Sequence, residues 1–292
     1  MEIKKYRFDG SREFSQDRFD PSDTGNYTCK EEAAHKLKQN QQRLSSLQDR
    51  LYAEAKEGVL IIFQAMDAAG KDGAVKHVMS GVNPQGIDVF SFKQPSREEL
   101  AHDYLWRCAK CLPERGKLCI FNRSYYEDVL VGRVHKLYMN YNLPQRCKGN
   151  HVMEQRYRQI TGFEEYLWEN GIRVVKFYLD ISKEEQKKRF LKRIDDKAKN
   201  WKFSASDLAE RQHWEEYQRA YEDAINSTAT EHAPWYVVPS NKKWFSRLLI
   251  SEILIHTLRE IDPQYPSLPP KGSEMLLRCR QELLEEQSLS IK

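Results

Sequence analysis

No run of apolar residues in this 292-residue chain approaches the roughly 18 that a membrane-spanning helix needs, so no membrane partner is expected. The opening residues, MEIKKYRFDG, hold no apolar h-region of a secretory leader, and the chain reads as cytoplasmic. Cysteine is sparse, at six residues, which excludes a dense disulfide framework and fits free thiols in a reducing compartment. The CxxC of Cys108 and Cys111 lies in a helical pattern with no second pair to complete a four-ligand zinc site, so it is read as packing. No Gly/Ser-rich linker, internal repeat or low-complexity tract divides the sequence. A net charge of +4 is too small to argue for a nucleic-acid partner.

What is present is the composition of a globular protein, 40% hydrophobic and 31% charged, in which apolar strand-like runs alternate with helical patterns. A long amphipathic helix is expected from Thr28, with Glu31 at capping-box spacing and Leu37, Leu44, Leu47 and Leu51 on a helical period. Strands follow at GVLIIF, IDVFSF, KLCIF, IRVVKFYLDI and WYVVPS. Helices are expected from Ser96 (capped with Glu99), over YYEDVLVGRVHKL, over HVMEQRYRQITGFEEYLWEN closed by Gly171, from Ser182 (capped with Glu185), and from about Ser206 to Ile225. Five apolar strands separated by helices predict an α/β fold, a five-stranded parallel sheet covered on both faces. The expected layout is one domain: an extension and long helix over residues 1–56, a core over 57–260, and a proline-rich tail over 261–292 whose last helix packs on a neighbour.

Three clusters bear on chemistry. The first is QAMDAAGKDG, residues 64–73, between the strand of Val59 to Phe63 and the helical pattern of Ala74, Val75, Val78 and Met79. It has the spacing of the phosphate-binding loop GxxxxGK[ST], except that Ala65 replaces the first glycine and Asp72 the final hydroxyl. An ordinary strand-to-helix turn with a solvated lysine also fits the degenerate motif. The second cluster, NRSYYEDVLVGR, places Asn122, Arg123, Glu127, Asp128 and Arg133 at and beyond the end of KLCIF, where a phosphoryl-transfer enzyme needs an acid for magnesium and cations for the phosphate. Glu127 and Asp128 also suit the first turn of a helix. The third, residues 183–202, holds nine Lys/Arg against four acids, a net +5 in a chain of net +4. Arg189, Lys192 and Arg193 line up at helical spacing, as a solvated face or as a lid over phosphates.

These stretches, with the later run ending in AYEDAI and APWYVVPSNKKWF, resemble the polyphosphate kinase 2 family of polyphosphate:nucleotide phosphotransferases. The resemblance implies a thymidylate-kinase-like P-loop fold with a helical lid at about 183–205, magnesium dependence, and reversible transfer of a terminal phosphoryl from inorganic polyphosphate to AMP or ADP. The expected acceptors are adenine or guanine nucleotides, and the expected assembly is a homo-oligomer, a dimer or a tetramer. Carried onto this sequence, Asp67 and Asp128 are the expected Mg²⁺ ligands, and Asp67, Lys71, Arg123, Asp128 and Arg133 the catalytic set. Ala68, Ala69, Gly70, Asp72 and Gly73 of the loop, with Lys187, Arg189, Lys192 and Arg193 of the lid, are expected to hold phosphates, and Asn122 and Glu127 the nucleotide. Asp72 is open between a water-mediated contact with the metal and a helix cap. Many family members carry Asp where Asn122 stands, and Asn resembles the group that accepts AMP as well as ADP. An ATP-dependent nucleoside monophosphate kinase is the alternative, although GKD lacks the usual Ser/Thr after the lysine; a non-catalytic phosphate-binding protein is the third class.

Overall fold

A computed structural model describes residues 1–289. Six strands form one sheet among the described residues, β1 (Arg7–Phe8), β2 (Gly58–Gln64), β3 (Ile87–Ser91), β4 (Leu118–Asn122), β5 (Ile172–Asp180) and β6 (Trp235–Pro239), in the order β1-β6-β5-β2-β4-β3. The five expected strands are the parallel ones. The sixth, missed because it is two residues long, pairs antiparallel with β6 and joins the extension to the sheet edge. Every residue of β2 is buried, as its unbroken apolar run requires of a central parallel strand, whereas edge strand β3 is part-exposed.

Helices α1 (Lys30–Glu54), α2 (Lys71–Val78) and α10 (Lys243–Ile261) form one layer, and α6 (Val152–Glu169) and α9 (Trp214–Thr228) another against β5. The extension is therefore part of the core: Asn40 of α1 donates to Ser251 Oγ (2.9 Å) and to Glu252 (2.7 Å) of α10. The second layer encloses a charge, Lys176 of β5, whose ammonium is pulled down by burial but matched by Glu164 (2.5 Å), the Thr228 carbonyl (2.8 Å) and the Tyr126 hydroxyl (3.1 Å).

Shorter helices are α3 (Arg97–Ala101), α4 (Trp106–Ala109), α5 (Val131–Val134), α7 (Lys183–Asp195) and α8 (Ala205–Gln212), and α11 (Pro270–Leu289) closes the described chain. The capping box of Ser96 and Glu99 is formed. Three local expectations are corrected. The long first helix starts after Cys29 with no side-chain cap, so Thr28 does not cap it. The segment after β4 is 3-10 turn (Tyr125–Asp128), α5 and a second 3-10 turn (Leu137–Met139), not one helix. The helix expected from Ser206 to Ile225 breaks at His213 into α8 and α9. At Ser182 the hydroxyl accepts from the Glu185 N–H, but the Glu185 carboxylate turns to Arg189 (2.8 Å).

Candidate active site

In an open parallel sheet ligands bind beyond the carboxyl ends of the strands, where neighbouring connections diverge. The chain leaves β2 for β3 and returns to β4 beside β2, so the 64–73 loop and the segment after β4 meet there. Both bends hold left-handed backbone: φ is +63° at Ala68, +117° at Gly70 and +65° at Arg123. Such a conformation is unfavourable for Ala and Arg, and it persists where surrounding contacts over-determine it. At Arg123 one such contact is its N–H on the Phe63 carbonyl (3.0 Å).

That bend aims the Arg123 guanidinium between two carboxylates. Nη2 lies 3.1 Å from Asp67 Oδ1 and Nη1 3.5 Å from Glu127 Oε2. Glu127 and Asp67 together keep the guanidinium charged. Burial raises the Glu127 carboxyl, against Arg123 and Lys71, which lower it. With its amide oriented so that nitrogen faces the acid, Gln64 donates to Glu127 Oε1 (2.8 Å) and accepts from Ser124 Oγ (3.1 Å). Lys71 is folded across the loop onto the Ala65 carbonyl (2.8 Å); burial and Arg123 pull its ammonium down, while Asp67, Glu127 and Asp72 hold it up. Asp67, Lys71, Arg123 and Glu127 are thus brought together. Asp67, Arg123 and Glu127 open onto a cavity of about 760 Å³, walled by apolar groups such as Leu100, Leu137 and Leu143.

Asp72 does not cap α2, whose N-cap is Gly70; it accepts from Asn122 Nδ2 (2.9 Å) and pairs with Lys202 (3.6 Å). Asn122 is accordingly turned toward the loop aspartate, and it does not line the large cavity.

Four expectations need correction. Asp128 lines the cavity, but its buried carboxylate is paired with the buried Arg156 and accepts from Tyr141 (3.3 Å), so it is not free beside Asp67. Arg133 is held by Asp223 (2.5 Å) and the Tyr157 hydroxyl (3.0 Å) and lines a neighbouring cavity instead. Arg189 is buried, and its guanidinium reaches Glu185, the carbonyls of Ala68 (3.0 Å) and Ala69 (2.6 Å), and those of Ser240 (2.5 Å) and Asn241 (3.2 Å). It is a strut under the loop, not an open lid cation. Arg193 is half-buried against Asp207 (3.6 Å), which leaves Lys187 and Lys192, of the expected phosphate-holding set on α7, as exposed cations, with Lys188 exposed beside them.

The Arg189 strut has a consequence for anions. Because a trans peptide points its N–H opposite its C=O, drawing the Ala69 carbonyl to Arg189 turns the Gly70 N–H to the other side of the loop. Near the loop and the start of α10 stand cations that the motif reading missed, Lys243 and Arg247. Burial and their positive neighbours, Arg189 among them, lower both, and the Arg247 Nη2 is 3.5 Å from where a Cβ on Gly73 would sit. The signal was available in NKKWFSR, directly after the last strand. Like charges gathered with few acids make a surface suited to a polyanion.

Among the described residues no three or more His, Cys, Asp or Glu side chains form a metal cage. Mg²⁺ needs less, one or two carboxylates with water and substrate phosphates, and Asp67 and Glu127, flanking a single guanidinium, are hard oxygen donors of that kind. The cysteines are free, and burial pushes the Cys108 thiol up to about 12, in keeping with packing. No helix among the described residues is long and apolar enough to cross a membrane.

Residues 27–266 match the family model of polyphosphate kinase 2 (PPK2). The chain is 49% identical over 261 residues to the ADP-polyphosphate phosphotransferase of Rhodopseudomonas palustris, covering 89% of this chain and 90% of that one. It is 47% identical over 276 residues to the AMP/ADP-polyphosphate phosphotransferase of Meiothermus ruber, covering 94% and 99%. The crystal structure of polyphosphate kinase 2 from Arthrobacter aurescens superposes with a TM-score of 0.85 at 40% identity, over 94% of this chain and 95% of that one. With the loop, the charged cluster and the fold in agreement over most of its length, the chain belongs to the polyphosphate kinase 2 family.

Proposed function

We propose that this protein transfers the terminal phosphoryl group of inorganic polyphosphate to AMP or ADP, reversibly, with Mg²⁺. The observation that carries the reading is the Arg123 guanidinium held between Asp67 and Glu127 beside Lys71, at the mouth of a cavity of about 760 Å³. Its apolar walls suit a nucleobase, adenine or guanine, and its charged floor suits the acceptor phosphate. The polyphosphate lies on the other side of the loop, against Gly73, Lys192, Lys243 and Arg247, so donor and acceptor meet end to end.

Asp67 and Glu127 would hold the metal, which when bound would neutralise phosphate oxygens. Glu127, which flanks the Arg123 guanidinium opposite Asp67, takes that role in place of Asp128, which lies buried beside Arg156. Lys71 and Arg123 carry fixed positive charge to the transferring group, and the Gly70 N–H adds a backbone donor. Phosphoryl transfer of this kind passes through a loose transition state, so positioning and charge suffice without a covalent intermediate. Lys202, drawn to Asp72, ties the 196–205 segment to the loop as part of a lid. The reaction takes place in the cytoplasm, in a homo-oligomer.

Donor competition tests the reading. AMP or ADP with magnesium is offered long-chain polyphosphate or ATP as phosphoryl donor, and product nucleotides are separated by chromatography. Efficient use of polyphosphate is expected; use of ATP alone would make the protein a nucleoside monophosphate kinase.

A further inference from the structure

Helix α8 forms part of the wall of the large cavity without hydrophobic packing to fix it. Ser206, Asp207 and Glu210 line the cavity, yet no residue of the helix is buried, and its one leucine, Leu208, is 49% exposed. A segment with so few buried apolar contacts opens locally at little cost unless polar contacts hold it.

Among the described residues, hydrogen bonds and ion pairs carry α8 side chains to other elements at three positions. Asp207 pairs with Arg193 (3.6 Å), and Arg211 donates to the Lys183 carbonyl (2.8 Å) and to Gln186 Oε1 (2.9 Å), so both tie α8 back to α7. Glu210 alone reaches the far wall. Its Oε2 lies 2.9 Å from Nε2 of His135, which follows α5 in the segment that also carries Arg123 and Glu127, and it accepts from the Tyr217 hydroxyl of α9 (2.5 Å). Burial and the Glu210 carboxylate raise the Tyr217 hydroxyl, which keeps it a donor. The His135 ring also meets that of His213, the residue at which α8 breaks from α9, edge to face with centroids 5.1 Å apart. One carboxylate oxygen thus bridges α8, α9 and the segment beyond β4, on a cavity wall that His135, Glu210 and Tyr217 all line.

We propose that Glu210 is a positioning residue for the acceptor: by holding His135 and Tyr217 at once, it seats α8 over the cavity and sets how long a bound nucleotide stays there. Because the occupant is the AMP or ADP proposed above, the inference rests on that reading. Release of the nucleotide requires α8 to lift from His135, whereas polyphosphate, on the other side of the loop, is indifferent to that contact.

The test uses the full chain with Mg²⁺ and a fluorescent ADP, N-methylanthraniloyl-ADP, displaced by excess ADP in a stopped-flow mixer without polyphosphate. Glu210→Ala is expected to speed dissociation roughly tenfold, the loss of hydrogen bonds to a half-exposed carboxylate, and to raise the KM for AMP and ADP by a similar factor. The KM for polyphosphate and the melting temperature should stay at their wild-type values. Glu210→Gln, which keeps an acceptor oxygen, should recover most of the loss. His135→Ala should act in the same direction, and His135→Ala/Glu210→Ala should be little worse than Glu210→Ala, because both remove one contact. Unchanged dissociation in Glu210→Ala, an equal rise in KM for both substrates, fully additive losses, or a large fall in melting temperature would each overturn the inference while leaving the phosphotransfer reading in place. A wild type that binds no labelled ADP would overturn that reading and the inference with it.

Discussion

Arg189 Nη1 donates to the carbonyl oxygen of Ala69 at 2.6 Å, and the same guanidinium joins α7, the 64–73 loop and the end of β6. A residue that reads in sequence as one of a stripe of lid cations is a buried strut. Arg189→Ala is therefore expected to lose stability on the order of 3 kcal/mol, because it strands several loop and strand carbonyls. Arg193→Ala removes only a half-exposed pair with Asp207 and should cost under about 1 kcal/mol. Urea denaturation of the two variants separates them; equal, small losses would show that Arg189 does not support the loop.

The polyanion surface predicts a different pattern for Lys243 and Arg247. Neutralising both should raise the KM for long polyphosphate roughly tenfold, as expected for the loss of two charge-assisted contacts, and leave the KM for ADP near its starting value. The KM should also become less sensitive to salt, since fewer ions are displaced when the chain binds. Initial rates at several salt concentrations measure this, and an unchanged salt dependence would place the polyphosphate elsewhere.

Asn122 gives a prediction that sequence comparison alone would have inverted. Its neutrality invites the reading that it admits AMP, yet its amide faces Asp72, outside the cavity. Asn122→Asp sets two carboxylates against each other and loosens the loop for either acceptor. Equal fractional losses of kcat/KM for AMP and ADP are expected. A selective loss with AMP would return Asn122 to the acceptor site.

Much of the fold was legible because the patterns are local and strong. The run Val59 to Phe63 can only be a doubly covered strand, and the Gly-Lys pair after it locates the loop. Strand β1 was illegible because two residues carry no periodicity; partners more than 200 positions away, Tyr236 and Trp235, make it a strand. Site residues divide the same way. Asp67, Lys71 and Arg123 stand on the loop and strand end that the motifs locate. Asp128 and Arg133 carry suitable chemistry at suitable spacing, but Arg156, Asp223 and Tyr157 arrive from distant helices to engage them. Arg189 shares its spacing with exposed lysines, and only burial distinguishes it.

Asp180 gives a pH dependence unrelated to turnover. Burial pushes its carboxyl up from 3.8 to about 6, despite hydrogen bonds from Gln16 (3.0 Å) and Tyr178 (3.3 Å). An acid with a raised folded pKa binds its proton more tightly when folded, so between about pH 4 and 6 the native state holds more protons than the unfolded one. Its contribution is fully present below the unfolded value and is lost as pH rises through about 6. Asp180→Asn keeps an acceptor for Gln16 and Tyr178 without the buried charge. It should stabilise the protein at pH 8 by up to about 3 kcal/mol relative to wild type and by much less at pH 4. Denaturation midpoints at both pH values check this, and an equal effect at the two would remove Asp180 as the source.

The proposed reaction breaks the terminal phosphoanhydride of polyphosphate and forms a new bond on the nucleotide. Phosphorus NMR of ADP, long-chain polyphosphate and Mg²⁺, followed over time with wild type, Asp67→Asn and Lys71→Ala, tests it most directly. With wild type, ATP should appear in step with the loss of internal polyphosphate signal and without free phosphate, and both variants should be inactive though folded. Free phosphate without ATP, ATP and AMP forming from ADP alone, or undiminished transfer in either variant would contradict the account.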